Sequence, residues 1–232
     1  MGRLARRRLG RGVYHVYNRA HGGAWVLAEP ELKRQFLDRL VRFLPRQEVQ
    51  VYHWAIMGNH FHLAAEALTT RALSGWLQRV CRSYSRWYHR ERGGYGYLWQ
   101  GRFRSVLVEK DGYLPRLGRY LERNPLRAGV TGVVKAWDYE WSSARHYAQG
   151  AADPLVAGDG YFFYLSMGAA AGQRQRTYRQ YLLDARERAT EEALFRGPAP
   201  AVGSADFLAN LRRVAGHLTA RVRGRPRKAE CV

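Results

Sequence analysis

The chain has 232 residues, and its 46% hydrophobic content is enough for a real core, which argues against wholesale disorder. Lys and Arg number 39 against 19 Asp and Glu, a formal net charge of +20, which predicts attraction to a polyanion, either nucleic acid or an anionic membrane surface. With Cys81 and Cys231 as the only cysteines, no disulfide framework or cysteine-rich zinc module is expected; no apolar run reaches the roughly 18 residues of a membrane span, and there is no P-loop or dinucleotide fingerprint.

Apart from Lys33, Lys110, Lys135 and Lys228, every basic residue is arginine. The base composition of a genome accounts for Arg in place of Lys, but not for the shortage of acids. Arg3, Arg6, Arg7, Arg8 and Arg11 are followed by no apolar segment, so the start is not read as a secretory signal. A soluble cytoplasmic, nucleoid-associated protein with no membrane partner is expected.

In chain order, 13–19 reads as a strand rich in Val and Tyr. Residues 30–44 read as a helix, with Pro30 at its first position, an apolar stripe from Leu32 to Leu44, and Pro45 closing it. A second strand covers 48–57, Gly58-Asn59 is a two-residue hairpin signal, and 60–66 is the return strand. A long helix runs from a Thr69 or Thr70 cap to about Arg90, with Arg79, Arg82, Arg86 and Arg90 striped away from its apolar face. A Gly- and Tyr-rich loop leads into a fourth strand over 102–109. A third helix covers 113–124, with Pro115 tolerated only in its first turn. The order β-α-β-β-α-β, then α, predicts an α+β fold: a ferredoxin-like split β-α-β antiparallel sheet with helices on one face.

The texture changes near residue 150, and a domain boundary is placed there: 1–150 and then 151–232, a helical extension with a basic tail. One helix is expected over 173–195, a Pro-containing linker over 197–203, and a helix capped by Ser204 over 204–220. The ending, Arg223-Gly224-Arg225-Pro226-Arg227-Lys228, fits a minor-groove hook or simply a basic tail making phosphate contacts.

Two constellations carry chemistry. His60 and His62 are two apart in a strand, so both imidazoles project from one face, where they can hold a divalent metal if a third ligand arrives; Phe61 and Leu63 point the other way. The plain alternative is a pair of strand histidines accepting local hydrogen bonds. Tyr120 and Asn124 are four apart and share one helix face, the plain alternative being a core aromatic and a helix-ending residue before Pro125. Arginines interleaved with 15 tyrosines and 7 tryptophans suit single-stranded nucleic acid, where bases stack and phosphates are neutralised.

Together these blocks resemble a known family. Met57-Gly58-Asn59-His60-Phe61-His62-Leu63 resembles the HUH motif of single-tyrosine transposases. Trp99-Gln100-Gly101-Arg102-Phe103-Arg104-Ser105 and Arg119-Tyr120-Leu121-Glu122-Arg123-Asn124-Pro125 resemble blocks of the REP-associated tyrosine transposases, as do Val13-Tyr14-His15-Val16 and Trp141-Ser142-Ser143. The resemblance covers roughly 11–149. Gly58 departs from it, since the family usually has proline there.

The resemblance implies a metal-dependent endonuclease and strand transferase acting on single-stranded DNA at hairpins of short palindromic repeats. It implies Tyr120 as nucleophile forming a 5′-phosphotyrosine, His60 and His62 as ligands of Mg²⁺ or Mn²⁺, and Asn124 at the position of a third polar ligand. Arg3, Arg6, Arg7, Arg8, Arg11, Arg79, Arg82, Arg86, Arg102, Arg104 and Arg225 are the expected DNA contacts, and a monomer or homodimer the expected state. The alternative is a non-cleaving DNA- or RNA-binding regulator on the same fold.

Overall fold

Val- and aromatic-rich runs joined by turn residues build the sheet where the sequence places it. In a computed structural model describing residues 10–156, 160–184, 186, 188–196 and 199–219, β1 (Gly12–Arg19), β2 (Val49–Ile56), β3 (His60–Ala67) and β4 (Arg104–Val108) match the four expected strands. They pair antiparallel in the order β2-β3-β1-β4, the split β-α-β arrangement. The Gly58-Asn59 turn closes β2 onto β3 through a Met57 N–H to His60 carbonyl bond of 2.8 Å. A fifth strand, β5 (Ala201–Val202), adds parallel to β4 and makes the sheet mixed. This corrects the linker expected over 197–203, because a two-residue strand has no periodicity to read.

α1 (Pro30–Phe43) and α2 (Thr70–Arg92) cover one face. Phe36 meets Phe61 of β3 at 4.8 Å between ring centroids and Tyr84 of α2 at 5.2 Å, and the Trp76 indole N–H donates to the Leu40 carbonyl at 3.0 Å. Thr69 caps α2 by accepting from the Ala72 N–H at 3.1 Å. α3 (Lys110–Glu122) packs against β1, β2 and β3 from the other side, because β3 alternates: Phe61 points to α1, His62 to Tyr120 of α3. Helices on one face therefore describe the two crossovers, and α3 covers the opposite face. Its regular turns start after Gly112, at φ 77°, so Pro115 does fall in the first turn.

A bulge brings another buried histidine to α3. Val51 opposes Ala65 and His53 opposes Ala64, leaving Tyr52 as the extra residue, so Tyr52 and His53 both point to the α3 side. The His53 ring then occupies the space a side chain at Gly118 would take: a Cβ there would lie 2.4 Å from His53 Nε2. Gly to Ala inside a helix ordinarily stabilises by about 1 kcal/mol. At this position the sign reverses, and Gly118→Ala is expected to cost about 1–3 kcal/mol through overpacking, read as a lower Tm.

Beyond α3 come α4 (Asn124–Arg127), α5 (Ala144–Gln149) and α6 (Phe162–Leu165). The single helix expected over 173–195 is two, α7 (Ala171–Leu183) and α8 (Arg188–Arg196), broken where Asp184 leaves helical dihedrals. α9 (Ala205–Thr219) is capped by Ser204, whose hydroxyl accepts from the Phe207 N–H at 3.2 Å. Tyr178, Leu182, Phe195 and Val202 are buried in the same apolar cluster as the sheet. Among the described residues, no helix is long and apolar enough to cross a membrane.

Candidate active site

His60 and His62 project from β3 toward α3, with ring centroids 5.0 Å apart. Each ring spends Nδ1 on the protein: His60 Nδ1 lies 2.7 Å from Asn59 Oδ1, and His62 Nδ1 lies 3.0 Å from His15 Nε2. This leaves Nε2 of each as the atom available to a cation, the pattern by which neighbouring groups orient metal-ligating histidines. Burial lowers the His60 pKa to about 4, helped by the charges of Arg19 and Arg127, and lowers that of His15 to about 3. His62 is held well below the usual imidazole value by burial, then by His15, His60 and Arg127. All three rings are neutral at neutral pH, the form that coordinates metal.

His15 was not singled out as a site residue, although it stands in one of the motif blocks. Its strand partner is Ala64, which shares the face of His60 and His62, so only the β1–β3 register reveals it. If His62 Nε2 is the coordinating atom, its Nδ1 carries a proton and donates to His15 Nε2. The His15 proton then sits on Nδ1, which is buried with no hydrogen-bond partner in this structure.

Tyr120 stands edge-on to this group, 6.3 Å from the His62 centroid and 6.1 Å from that of His15. The residue is only 5% exposed. Phe195 of α8 packs on its ring at 5.4 Å, and the Arg127 guanidinium lies 4.2 Å from the ring centroid. Beside it is a cavity of about 100 Å³, lined by Tyr120, Arg127, Arg123 and side chains of α8.

α3 ends at Glu122 and α4 opens at Asn124, but Arg123 between them keeps helical dihedrals, and Arg127 reaches both Asn124 and the Tyr120 ring, so the two side chains stay on one side. Asn124 Oδ1 accepts from Arg127 Nη2 at 2.6 Å, and its buried Nδ2 has no partner in this structure. Two neutral imidazoles with Nε2 left over are a donor pair that suits a divalent cation. Among the described residues no cluster of three His, Cys, Asp or Glu forms a complete ligand set.

The expected DNA contacts divide. Arg104 is exposed and opposes Tyr17, which opposes His62, so all three share the imidazole face. Arg102 is exposed in the loop before β4, and Arg11 is mostly exposed while pairing with Glu66 at 3.5 Å. Arg79, Arg82 and Arg86 are exposed on α2, across the sheet from the imidazoles. Arg3, Arg6, Arg7, Arg8 and Arg225 lie outside the described residues. Arg127, near Tyr120, Asn124 and both histidines, was overlooked because it follows the helix that carries the tyrosine.

Comparison with curated proteins found no match. A solved structure described as that of the REP-associated tyrosine transposase bound to a REP hairpin is similar to this chain, with a TM-score of 0.49 and 19% identity over 68% of this chain and 93% of that one. The model of the family described as "Transposase IS200 like" matches residues 13–124, a span that holds β1, both HUH histidines and Tyr120. Through this segment, just under half of its length, the chain is similar to the IS200-like transposases.

Proposed function

We propose that this chain is a transposase, a metal-dependent single-stranded DNA endonuclease and strand transferase acting at hairpins of short palindromic repeats. One observation carries the reading: the Tyr120 ring stands 6.3 Å from that of His62, on the face where His60 and His62 each keep Nε2 for a cation. Mg²⁺ or Mn²⁺ held by His60 and His62, with Asn124 as the oxygen donor, would supply polarisation of the scissile phosphate and offset its developing charge.

Tyr120 attacks phosphorus in line, and its phenolic proton is lost. The phosphorus–O3′ bond breaks, the departing oxygen takes up a proton as a free 3′-hydroxyl, and the 5′ side stays on the enzyme as a phosphotyrosine. A DNA 3′-hydroxyl later reverses the attack and joins strands without ATP. Arg127, its guanidinium on the Tyr120 ring and its charge felt by both histidines, would offset charge developing on the scissile phosphate. Arg127→Ala is expected to slow strand cleavage by roughly 10²-fold, with a smaller loss in DNA affinity, read by single-turnover kinetics. In this reading residues 1–150 hold the chemistry, and 151–232 form an extension that adds contacts.

A single-stranded hairpin oligonucleotide, incubated with Mg²⁺ or Mn²⁺ and resolved on a denaturing gel, should give a covalent protein–DNA adduct whose mass identifies the attached phosphate. A second reading, a non-cleaving DNA- or RNA-binding regulator, is favoured by the enclosure of Tyr120 beneath Phe195 and Arg127. Binding with no adduct under either metal would decide for it.

A further inference from the structure

We infer that Trp25 is a stacking platform for an unpaired base of the DNA strand at the His60 end of the site. The inference rests on the single-strand reading above and adds a positioning residue that none of the motif blocks contains.

Of the seven tryptophans, Trp25 alone is exposed, at 70%. It lies between a short 3₁₀ turn, His21–Gly23, and α1, and its neighbours Val26 and Leu27 are buried at 3% and 0%. The backbone around it is fastened to the HUH hairpin. Leu27 N–H donates to the Gly58 carbonyl at 2.8 Å, Ala20 N–H to the Asn59 carbonyl at 2.8 Å, and Asn59 Nδ2 to the Gly23 carbonyl at 3.2 Å. A large apolar side chain held in water by an ordered loop is a standing cost that a ligand can relieve.

The indole meets Gly58 by its edge. A Cβ at position 58 would lie 2.4 and 2.5 Å from Cε3 and Cζ3 but 3.7 Å from Cδ2. For a planar ring these distances describe an approach close to the ring plane, from outside the Cε3–Cζ3 bond, and not one over a face. The ring is thus gripped along one side, and its faces account for the exposure. The contact also accounts for glycine at this turn. A Cβ at position 58 would overlap the ring, so Gly58 and Trp25 form one unit.

The location gives the ligand its class. Gly58 is two residues before His60, whose strand partner across β1 is Arg19. A Cβ on Gly23 would lie 3.5 Å from Arg19 Nη2, so that guanidinium sits against the same turn. An aromatic slab with an arginine beside it suits a base and its phosphate in single-stranded DNA, and stacking of this kind tolerates any base.

The test uses a repeat-hairpin oligonucleotide with single-stranded flanks, carrying 2-aminopurine at one flank position at a time. It is bound to the Tyr120→Phe chain so that no cleavage intervenes. One flank position should be quenched strongly with Trp25 present, partly with Trp25→Phe, and not at all with Trp25→Ala, whose affinity should be about 10-fold weaker. Gly58→Ala, which pushes the indole aside, should reduce quenching at the same position. An unchanged quenching profile and affinity in Trp25→Ala would overturn the inference, as would the absence of any quenched position in the parent. Adduct formation by the unmodified chain is measured separately, so its failure sinks the cleavage reading and leaves the stacking result to stand by itself. Circular dichroism confirms folding of each variant.

Discussion

Tyr120→Phe is expected to abolish the covalent adduct with hairpin DNA while leaving fold and DNA affinity essentially intact. The substitution removes one oxygen and keeps the ring that Phe195 and Arg127 pack against, at 5.4 and 4.2 Å. It therefore creates no cavity, and Tm should move by less than about 1 °C. Losing a covalent nucleophile is a different order of effect: cleavage should fall by at least roughly 10³-fold. A denaturing gel with labelled oligonucleotide reads both outcomes when paired with a binding titration. An adduct that persists in Tyr120→Phe would move the nucleophile elsewhere, first to Tyr113 on the same helix, then to the exposed Tyr97.

Glu122→Ala should be the most damaging single change to stability. Glu122 is fully buried two residues after Tyr120 and joins four elements. The Ser143 hydroxyl, at the N-cap of α5, donates to Oε1 at 2.6 Å, and the Tyr178 hydroxyl of α7 donates to Oε2 at 2.7 Å. His53 Nδ1 of β2 lies 2.8 Å from Oε1. Burial beside Glu122 pushes the Tyr178 pKa well up, so its hydroxyl stays a donor. Truncation strands the Tyr178 hydroxyl and His53 Nδ1, leaves the Ser143 hydroxyl only its bonds to the Trp54 backbone, and opens a cavity. A loss of about 3–5 kcal/mol is expected, out of the roughly 5–15 kcal/mol that holds a typical domain. For a chain of this size that is a fall in Tm of roughly 6–20 °C. Because the same carboxylate ties α7 to α3, adduct formation should fall with it at temperatures where Tyr120→Phe is still folded. Glu122→Gln keeps the volume and an acceptor oxygen, and should lose less than half as much.

The framework and the first layer of the site were legible because both are written in local patterns. A Val- and aromatic-rich run and the Gly58-Asn59 turn mark Val49–Ile56 and His60–Ala67 as strands, and i, i+2 spacing alone puts His60 and His62 on one face. The α2 stripe and its Thr69 cap are equally local. Legibility failed wherever a local rule was interrupted. The bulge at Tyr52 turns His53 to the α3 side against strict alternation. Asp184 splits an apparently continuous amphipathic stretch into α7 and α8.

By itself, the sequence determined the element order, the shared face of two imidazoles, the excess of positive charge and the motif blocks around a tyrosine. Each depends on neighbours a few residues away or on composition, and backbone geometry turns these directly into faces and fields. Only the tertiary structure decided which groups come together across the chain: His15 against His62, 47 residues apart; Tyr178 and Glu122, 56 apart; Phe195 on Tyr120; and Trp25 against a glycine of the HUH turn. Such pairings follow from strand register and from how α3 and α8 seat on the far face of the sheet. That seating is settled by the packing of the whole core, and no short window of residues encodes it.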